Sequence, residues 1–262
     1  MNYIITGSSQ GIGFELSKIL QNKNKLLLCS RKQNKHFNNK KNVKYLKVNV
    51  NSEKDLNKLQ RYLKNKKIML DGAIFSHGLL GGPIDIYDKK KVKEWKEIFD
   101  TNFTSSVNLI RCILPFIKKN NYSKIIFFSG GGTFNTWPKF SAYSVSKTAL
   151  VRFAENLADE LKFQKIIVNC LAPGFINTDI HKSNYKKLSK LNNKYRIELL
   201  DNKDSKPNYK NILELLIHNL KNKNINLTGR TISANFDPWK SKSFLKKLKK
   251  NSKLLTLSRL NL

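Results

Sequence analysis

The sequence predicts an α/β fold with three layers, in which helices cover both faces of a doubly wound parallel sheet of about seven strands. Three observations support this prediction. Short apolar runs alternate with stretches of helical periodicity, most apolar runs end in Gly-, Ser- or Pro-rich turns, and the first turn is rich in glycine. Strands that alternate with helices form parallel sheets, which bind ligands at the carboxyl ends of their strands. We therefore expect the functional residues at those ends.

The apolar runs and periodic stretches give each element its predicted bounds. The predicted strands are Tyr3–Thr6, Lys25–Ser30, Val43–Val48, Ala73–Ser76, Lys124–Ser129, Ile166–Leu171 and Thr231–Ala234. The predicted helices are Ile12–Gln21, Glu53–Leu63, Lys91–Phe99, Ser105–Lys118, Ala142–Leu161 and Lys210–Leu220. At 262 residues the chain fits one large domain, so we expect a single unit over residues 1–262.

Two segments depart from this alternation. Residues 181–207 are polar and rich in lysine and asparagine, and they lie within 179–224, where we expect a substrate-binding loop and lid inserted after the sixth strand. Residues 237–262 form a basic tail that includes a short helix. The tail is expected to pack on its own or a partner subunit, and a helix on a membrane surface is the alternative.

The net charge of +32 is extreme, with 50 lysines and arginines against 18 acidic residues. Charge alone suggests a nucleic acid partner. The basic residues are nearly all lysine and spread along the chain, which favours a solvated surface set by composition over a nucleic acid interface. The start MNYIITG has no charged stretch followed by an apolar segment, so we expect no signal peptide, and no apolar run reaches the length of a membrane span. The three cysteines are widely spaced. These features predict a cytoplasmic protein with buried reduced thiols and no metal site.

A glycine-rich turn, Thr6-Gly-Ser-Ser-Gln-Gly-Ile-Gly13, follows the first strand and opens the first helix. Gly7 permits a tight turn, Gly11 lets the backbone approach a phosphate, and Gly13 allows close contact between helix and sheet. The helix N-terminus then faces a pyrophosphate. The turn therefore predicts dinucleotide binding.

The end of the second strand indicates which dinucleotide is bound. An acidic residue near this place bonds the ribose 2′-hydroxyl of NAD, whereas this chain offers Ser30, Arg31 and Lys32. Arg31 can form two parallel bonds to a 2′-phosphate. The sequence therefore favours NADP(H) over NAD(H).

Tyr143 and Lys147 are four residues apart in a predicted helix, so their side chains share one face. A lysine ammonium close to a tyrosine favours the phenolate and lowers the pKa of the phenol. The pair therefore predicts a general acid and base that works near neutral pH.

Four stretches carry a resemblance to a known family: Thr6-Gly7…Gly11-Ile-Gly13, Asn102 in FDTNFTSS, Tyr143-Ser-Val-Ser-Lys147 and Pro173-Gly174…Thr178. Through them the chain resembles the short-chain dehydrogenase/reductase family over about residues 2 to 235. The resemblance implies a single Rossmann-type domain that moves a hydride between nicotinamide and a carbonyl or secondary alcohol. The chain also resembles a subgroup of that family with a triple-glycine serine loop, in the stretches SGGGT and LTGRTISANFDPW.

The resemblance implies a role for each matched residue. Tyr143 donates or accepts the proton, Lys147 lowers its pKa and holds the nicotinamide ribose, Asn102 supports a relay water, and Ser129 bonds the substrate oxygen. The implied catalytic residues are Tyr143, Lys147, Ser129 and Asn102. The expected cofactor contacts are Gly7, Ser9, Gly11, Ile12, Gly13, Ser30, Arg31, Asn49, Val50, His77, Gly78, Lys147, Pro173, Gly174, Ile176 and Thr178.

The sequence departs from the family pattern at three places. An Asn-Asn-Ala-Gly segment is replaced by Phe75-Ser76-His77-Gly78, where His77 contacts the cofactor or, the preferred interpretation, is a packed structural histidine. An aspartate at the end of the third strand is replaced by Asn49, whose carbonyl can still bond the adenine amine.

The third departure is the serine of SGGGT. The family's usual serine place is Gly130, one residue nearer the tyrosine than Ser129. Either the glycines reshape the loop so that Ser129 reaches the substrate oxygen, or Thr133 does so, or no hydroxyl does. Ser129 is the preferred candidate.

The favoured function is an NADP(H)-dependent carbonyl reductase or alcohol dehydrogenase acting on a small molecule. A protein of the same fold that binds or senses the cofactor without turnover is the alternative, motivated by FSHG and Gly130. A sugar-nucleotide epimerase or dehydratase ranks lower, since its glycine spacing generally differs. The resemblance implies a homodimer or homotetramer, whose interface includes the helices Lys91–Phe99 and Ser105–Lys118.

Overall fold

A computed structural model describes residues 1–186 and 193–258, and it contains the parallel sheet that the sequence predicts. The seven strands run in the order β3-β2-β1-β4-β5-β6-β7, and every neighbouring pair is parallel. Their bounds are β1 Asn2–Thr6, β2 Lys25–Ser30, β3 Val43–Lys47, β4 Gly72–Phe75, β5 Ser123–Phe128, β6 Ile166–Ala172 and β7 Arg230–Ser233. All seven predicted strands are confirmed to within about a residue at each end.

Helices cover both faces of this sheet. Their bounds are α1 Gly11–Leu20, α2 Glu53–Asn65, α3 Val92–Phe99, α4 Ser105–Ile113, α5 Ser141–Leu161, α6 Lys182–Tyr185, α7 Asn193–Asp201, α8 Lys210–Lys221 and α9 Lys242–Lys250. The helix predicted over Ser105–Lys118 ends earlier, at Ile113, because Pro115 cannot continue it and a 3₁₀ turn over Leu114–Phe116 follows. None of the described helices is both long and apolar enough to cross a membrane.

Alternation along the strands separates two apolar cores. Ile4 lies in the core with α2, α4 and α5, whereas its neighbour Ile5 lies in the core with α1 and α8. Both isoleucines are almost fully buried, as expected for strands of a parallel sheet that is covered on both faces. The three cysteines are buried and unpaired, as the sequence predicts.

The α2 helix shows how sequence sets a local element. Its N-cap, Ser52, accepts a hydrogen bond from the backbone amide of Asp55 at 3.3 Å. Leu59 and Leu63 then follow at helical spacing and are completely buried, each contributing roughly 2–3 kcal/mol through loss of apolar surface from water. A polar residue at either position would therefore break the contact with the sheet.

The expected insertion and tail are only partly described. Residues 187–192 of the insertion and 259–262 of the tail lie outside the described residues. Within 179–224, α6 and α7 contribute Tyr185, Tyr195 and Leu199 to an apolar cluster separate from the two cores, while α8 covers the sheet with buried residues such as Leu215.

The described part of the tail packs on its own subunit, the first of the two interpretations. Leu248 of α9 is fully buried, and the chain then lies beside β7, where the amide of Thr231 donates to the carbonyl of Leu255 at 2.9 Å. Buried Arg230 donates to the carbonyls of Leu254 and Leu248 at 2.8 and 3.2 Å.

Candidate active site

The strand order brings the predicted site residues to one edge of the sheet. The strand β1 lies between β2 and β4, so the order of the strands reverses there. Open parallel sheets have their ligand crevice at this point, beyond the carboxyl ends of the strands. The segments that follow β1 to β6 carry the predicted cofactor contacts and Ser129, while Asn102, Tyr143 and Lys147 lie on the helical segments between β4 and β6. The site is therefore built from residues that are far apart in the chain.

The glycine turn after β1 has the backbone geometry that its three glycines predict. Gly7 has φ +63°, and a Cβ there would lie 2.7 Å from backbone atoms of Ser76 and His77. A Cβ at Gly13 would lie 2.8 Å from the carbonyl oxygen of Gly7. Gly11 has φ +62°, and no described atom lies within 4 Å of the place of its missing Cβ. The turn is therefore packed tightly against the segment after β4 at Gly7, whereas the space beside Gly11 is open.

The N-terminus of α1 keeps its amide groups available. The N-cap residue, Gln10, makes no side-chain capping bond within the described part of the chain. The amides of the first turn can therefore bind a phosphate. Ser9 is partly buried and accepts a bond at its carbonyl from the Asn34 side chain at 2.9 Å, while Ile12 packs against the core under the turn. Asn34 escaped sequence reasoning because only tertiary contact links it to the turn.

Residues after β2 leave a basic group at the edge of the crevice. The Ser30 hydroxyl donates to the carbonyl of Lys32 at 2.7 Å, which bends the chain away from the strand. Arg31 is exposed, and no ion pair engages its guanidinium among residues 1–186 and 193–258. A 2′-phosphate could therefore bind Arg31 without first displacing an acidic partner.

The residues after β3 form a short turn before α2. The backbone amide of Asn49 donates to a carboxylate oxygen of Asp55 at 2.8 Å, and its side-chain oxygen accepts from the amide of Asn51 at 3.2 Å. Asn49 is exposed, and Val50 packs partly against the core. Both lie at the carboxyl edge where an adenine contact was predicted.

His77, after β4, is held inside the protein. Its Nδ1 lies 2.6 Å from the Thr6 hydroxyl and its Nε2 lies 3.0 Å from the Ser105 hydroxyl. Burial, with a smaller repulsion from Lys147, lowers the pKa of His77 to about 3, so the ring is neutral at physiological pH. The ring therefore fits the structural interpretation, and the cofactor contact stays a prediction.

Ser76 and Gly78 flank this histidine and contribute differently. The Ser76 hydroxyl donates to the carbonyl of Thr6 at 2.5 Å and covers Gly13, a contact that sequence reasoning did not predict. Gly78 faces two of the predicted catalytic residues, since a Cβ there would lie 3.3 Å from Oδ1 of Asn102 and 3.7 Å from Nζ of Lys147. Because glycine has no side chain, the space next to Nζ of Lys147 stays open at this position.

Asn102 lies in a π-helical turn, Asp100–Thr104, between α3 and α4. Its side chain accepts from the amide of Leu79 and donates to the carbonyl of the same residue, both at 2.8 Å. It also donates to the Ser146 hydroxyl at 2.9 Å. π-turns are frequent at functional sites, and this one fixes Asn102 between the β4 loop and α5.

Tyr143 and Lys147 share one face of α5. The ammonium of Lys147 lies 5.8 Å from the centre of the Tyr143 ring and donates to the carbonyl of Phe128 at 3.0 Å. Burial lowers the pKa of Lys147 to about 8. Burial also raises the pKa of Tyr143 above its ordinary value, because the phenolate would lose its hydration among apolar side chains. The expected lowering by lysine is therefore outweighed by burial.

The loop after β5 explains the displaced serine. A Cβ at Gly130 would overlap the hydroxyl oxygen of Tyr143, so the family's usual serine place is filled by the tyrosine. The Thr133 hydroxyl donates to the carbonyl of Gly130 at 2.7 Å and closes the turn.

Ser129 is the remaining hydroxyl candidate, and it is almost fully buried. Its amide continues the strand ladder to Leu171 at 3.0 Å. Ser129 follows Phe127 by two residues and therefore faces the α5 side of the sheet, as Phe127 does.

The segment after β6 begins with Pro173 and lies at the same carboxyl edge of the sheet. Gly174 has φ +74° and lies against the Asn235 side chain, which leaves no space for a Cβ. Ile176 is buried in the core with α1 and α8, and the amide of Thr178 donates to its carbonyl at 2.7 Å. The segment thus turns sharply just beyond the carboxyl end of β6.

A third apolar cluster surrounds the tyrosine, and sequence reasoning did not identify it. Its buried members are Leu80, Phe140, Tyr195 and Leu199, and its partly buried members are Trp137, Tyr143, Phe175, Ile180 and Tyr185. We call these nine residues the tyrosine cluster. The only sequence signal was the aromatic content of TFNTWPKFSAY, which ordinary core packing explains equally well.

Comparisons with known proteins agree with this architecture. The sequence model of the family described as short chain dehydrogenase matches residues 2–189. A benzil reductase of Saccharomyces cerevisiae, which forms (S)-benzoin, is 28% identical over 192 residues that cover 68% of this chain and 73% of the relative. A 3-oxoacyl-[acyl-carrier-protein] reductase of Haemophilus influenzae is 28% identical over 186 residues, covering 68% and 74%.

A solved structure is similar as well. The crystal structure of a short chain dehydrogenase family protein from Francisella tularensis superposes with a TM-score of 0.74 at 25% identity. The match covers 88% of this chain and 96% of that one.

Proposed function

This chain belongs to the short-chain dehydrogenase/reductase family, and we propose that it is an NADP(H)-dependent oxidoreductase acting on a carbonyl or secondary alcohol. The observation that carries the proposal is the shared face of Tyr143 and Lys147 on α5, at the carboxyl edge where the glycine turn also opens. The substrate-side part of the site includes the segment 179–224. We further propose a cytoplasmic homodimer or homotetramer.

The crevice fits a dinucleotide at several points. The open space in front of Gly11 and the uncapped first turn of α1 suit a pyrophosphate. Arg31 suits a 2′-phosphate, because a planar guanidinium can make two parallel bonds to it. NADPH, when bound, supplies the hydride, and the protein orients the reactants and moves the proton.

Proton transfer falls to Tyr143. With its pKa raised by burial, the phenol is protonated at neutral pH and is ready to donate to a carbonyl oxygen. Lys147, with a pKa of about 8, is mostly charged at pH 7, and its charge stabilises the phenolate left by that donation. In the reverse reaction, the oxidation of an alcohol, the same phenolate accepts the proton.

Two further groups support the transfer. Lys147 uses one N–H on the carbonyl of Phe128, which leaves two N–H groups for a ribose or a relay water. The side-chain oxygen of Asn102 lies beside Gly78, on the same side as Nζ of Lys147, and suits the support of such a water. Ser129 is the proposed donor to the substrate oxygen.

A protein that binds or senses the cofactor without turnover is the second candidate. The overlap between a Cβ at 130 and the Tyr143 hydroxyl favours it, because the usual serine place carries no hydroxyl. The two candidates differ in steady turnover, so kinetics separates them.

The test is an NADPH oxidation screen against ketones, acyl thioesters and keto-sugars. We expect steady oxidation with at least one class, and Tyr143→Phe should reduce kcat by roughly 10²- to 10⁴-fold while NADPH binding is kept. Tight NADPH binding with no carbonyl reduced, and no effect of Tyr143→Phe, would favour the sensing protein.

Cofactor preference has its own test in Arg31→Ala. Loss of a charge-assisted bidentate contact should weaken NADPH binding by roughly tenfold to a hundredfold and leave NADH binding unchanged. Lys35→Ala, another exposed cation after β2, is the matched control. Equal weakening of both nucleotides would contradict the assignment to the 2′-phosphate.

A further inference from the structure

The tyrosine cluster lies beyond the carboxyl edge of the sheet, outside the two apolar cores, and it contains the proposed acid. We propose that this cluster forms the substrate pocket wall and selects flat aromatic carbonyl compounds, such as aryl ketones, with Trp137 as the residue that determines specificity. This inference rests on the proposed reductase function. It adds the class of substrate and a residue that the family resemblance does not supply.

Trp137 is the centre of the cluster. Its ring meets Tyr143 edge-on at 5.8 Å and 83°, and Tyr195 edge-on at 5.0 Å and 88°. It stacks on Phe140 at 4.7 Å. One indole therefore connects the proposed acid with the start of α5 and with α7.

The triple glycine makes room for this indole. A Cβ at Gly131 would lie 2.5 Å from Cζ3 of Trp137, and a Cβ at Gly132 would lie 3.0 Å from Cβ of Trp137. Gly132 also has φ +79°, and a Cβ there would overlap the Ser144 hydroxyl. Each of the three glycines in the loop therefore leaves space for a different neighbouring side chain: Tyr143, Trp137 and Ser144.

Part of the cluster remains available to a ligand. Phe140 and Tyr195 are almost fully buried, whereas Trp137, Tyr143 and Phe175 are only partly buried. A substrate whose carbonyl oxygen reaches the Tyr143 hydroxyl meets the Trp137 ring beside it. Aromatic rings pack favourably edge-on or offset against such faces.

The wall carries no charge, although the chain as a whole is strongly basic. The nine residues of the cluster include no lysine, arginine, aspartate or glutamate. His181, whose Nδ1 lies 2.7 Å from the Tyr195 hydroxyl, has its pKa lowered by burial to about 4 and is neutral at pH 7. A charged group that a substrate placed against these nine residues would lose its hydration without gaining an ionic partner among them. The preferred substrate is therefore uncharged beside its carbonyl.

Acetophenone and cyclohexyl methyl ketone provide a pair of probes of similar size, one with an aromatic ring and one without. Conjugation with the ring makes the acetophenone carbonyl the less reactive of the two, so a preference for acetophenone reports a contact of the protein with the ring. With NADPH we expect kcat/KM to be roughly three- to tenfold higher for acetophenone, the range that an aromatic contact contributes. A ratio of one or less, with turnover present, would overturn the inference and leave the reductase function intact. No turnover of any carbonyl by the wild-type protein would instead overturn the reductase function.

Three variants locate the preference. Trp137→Leu should reduce the ratio to about one, and Trp137→Phe should restore most of it. Gly131→Ala should also lower the ratio, because the added Cβ displaces the indole while Trp137 itself is kept. Phe134→Leu, on the same loop but exposed and outside the cluster, is the control and should leave the ratio unchanged.

The outcomes remain decisive if one variant does not fold. Should Trp137→Leu be unfolded by circular dichroism, Gly131→Ala carries the test with the same expected loss. An unchanged ratio in folded Trp137→Leu or folded Gly131→Ala would overturn the role of Trp137. An equal loss in Phe134→Leu would overturn it as well.

Discussion

Two glycine-rich loops, one after β1 and one after β5, use glycine for different reasons. In the first, Gly7 and Gly13 avoid backbone atoms, and Gly11 faces open space. In the second, Gly130 and Gly131 leave space for the side chains of Tyr143 and Trp137, respectively. Backbone contacts come with the strand–turn–helix unit and can be predicted from its motif. Side-chain contacts depend on which residues the tertiary structure brings near, and a motif does not contain them.

The largest expected effect is on the first loop. Gly7→Ala places a Cβ 2.7 Å from the backbone at Ser76 and His77 and requires φ +63° of an alanine. Because neither strand can move far, we expect a loss of about 3 kcal/mol or more in the free energy of unfolding. Urea denaturation measures this loss. Gly131→Ala should lower the free energy of unfolding by less than about 1 kcal/mol. Equal losses in the two variants would contradict the difference between the loops.

Acid should weaken the structure behind the first loop. His77 has a folded pKa of about 3, below its unfolded value of about 6.5, so the unfolded chain binds more protons between these values. Stability is therefore fully present above about pH 6.5 and falls as the pH drops towards 3, by a few kcal/mol. Chemical denaturation from pH 7 to 4 measures the slope. His77→Asn should flatten it, and an unchanged slope would show that other groups cause the loss.

Restoring the family residue in the second loop should harm the enzyme. Gly130→Ser overlaps the Tyr143 hydroxyl, so the phenol must move from its place beside the substrate oxygen. We expect kcat to fall by roughly a hundredfold with NADPH affinity unchanged, because a displaced catalytic group loses its alignment. Steady-state kinetics and a cofactor titration measure the two quantities. A gain in kcat would mean that the loop is an ordinary serine loop after all.

Smaller and separable effects are expected from the two hydroxyls. Ser129→Ala should lower kcat by about tenfold or more and leave stability nearly unchanged, as for a donor to the substrate oxygen. Thr133→Val should lower the free energy of unfolding by about 1 kcal/mol with a smaller effect on kcat, since its hydroxyl closes the turn on Gly130. The reverse pattern would give the substrate contact to Thr133, and intact rates in both variants would mean that neither hydroxyl contacts the substrate.

The fold and the positions of the motifs could be predicted because they depend on local periodicity. The seven strands, the glycine turn and the shared face of Tyr143 and Lys147 all follow from spacing along one segment. Family resemblance supplied Asn102, and the structure adds the π-turn that holds it against Leu79.

Features that join distant segments could not be predicted. Tyr195 reaches Trp137 across 58 positions of the chain, as the two residue numbers show, and no local pattern marks that pair. The raised pKa of Tyr143 is similar in kind, because it depends on burial by side chains from other segments. Spacing indicated the acid and base but not the environment that sets their protonation.

The two edge strands of the sheet, β3 and β7, present different surfaces to a neighbouring molecule. The strand β3 ends one side of the sheet and displays the exposed cations Lys44 and Lys47, whereas β7 on the other side is covered by the segment that follows α9. Unpaired strand edges promote aggregation, and lysine on such an edge opposes it by repulsion. Salt weakens that repulsion at β3, but it does not remove the hydrogen-bonded segment of the same chain that covers β7. The solubility of this strongly basic protein should therefore fall at high ionic strength through β3, and removal of residues 251–262 should create a second aggregation surface at β7 that appears even at low salt.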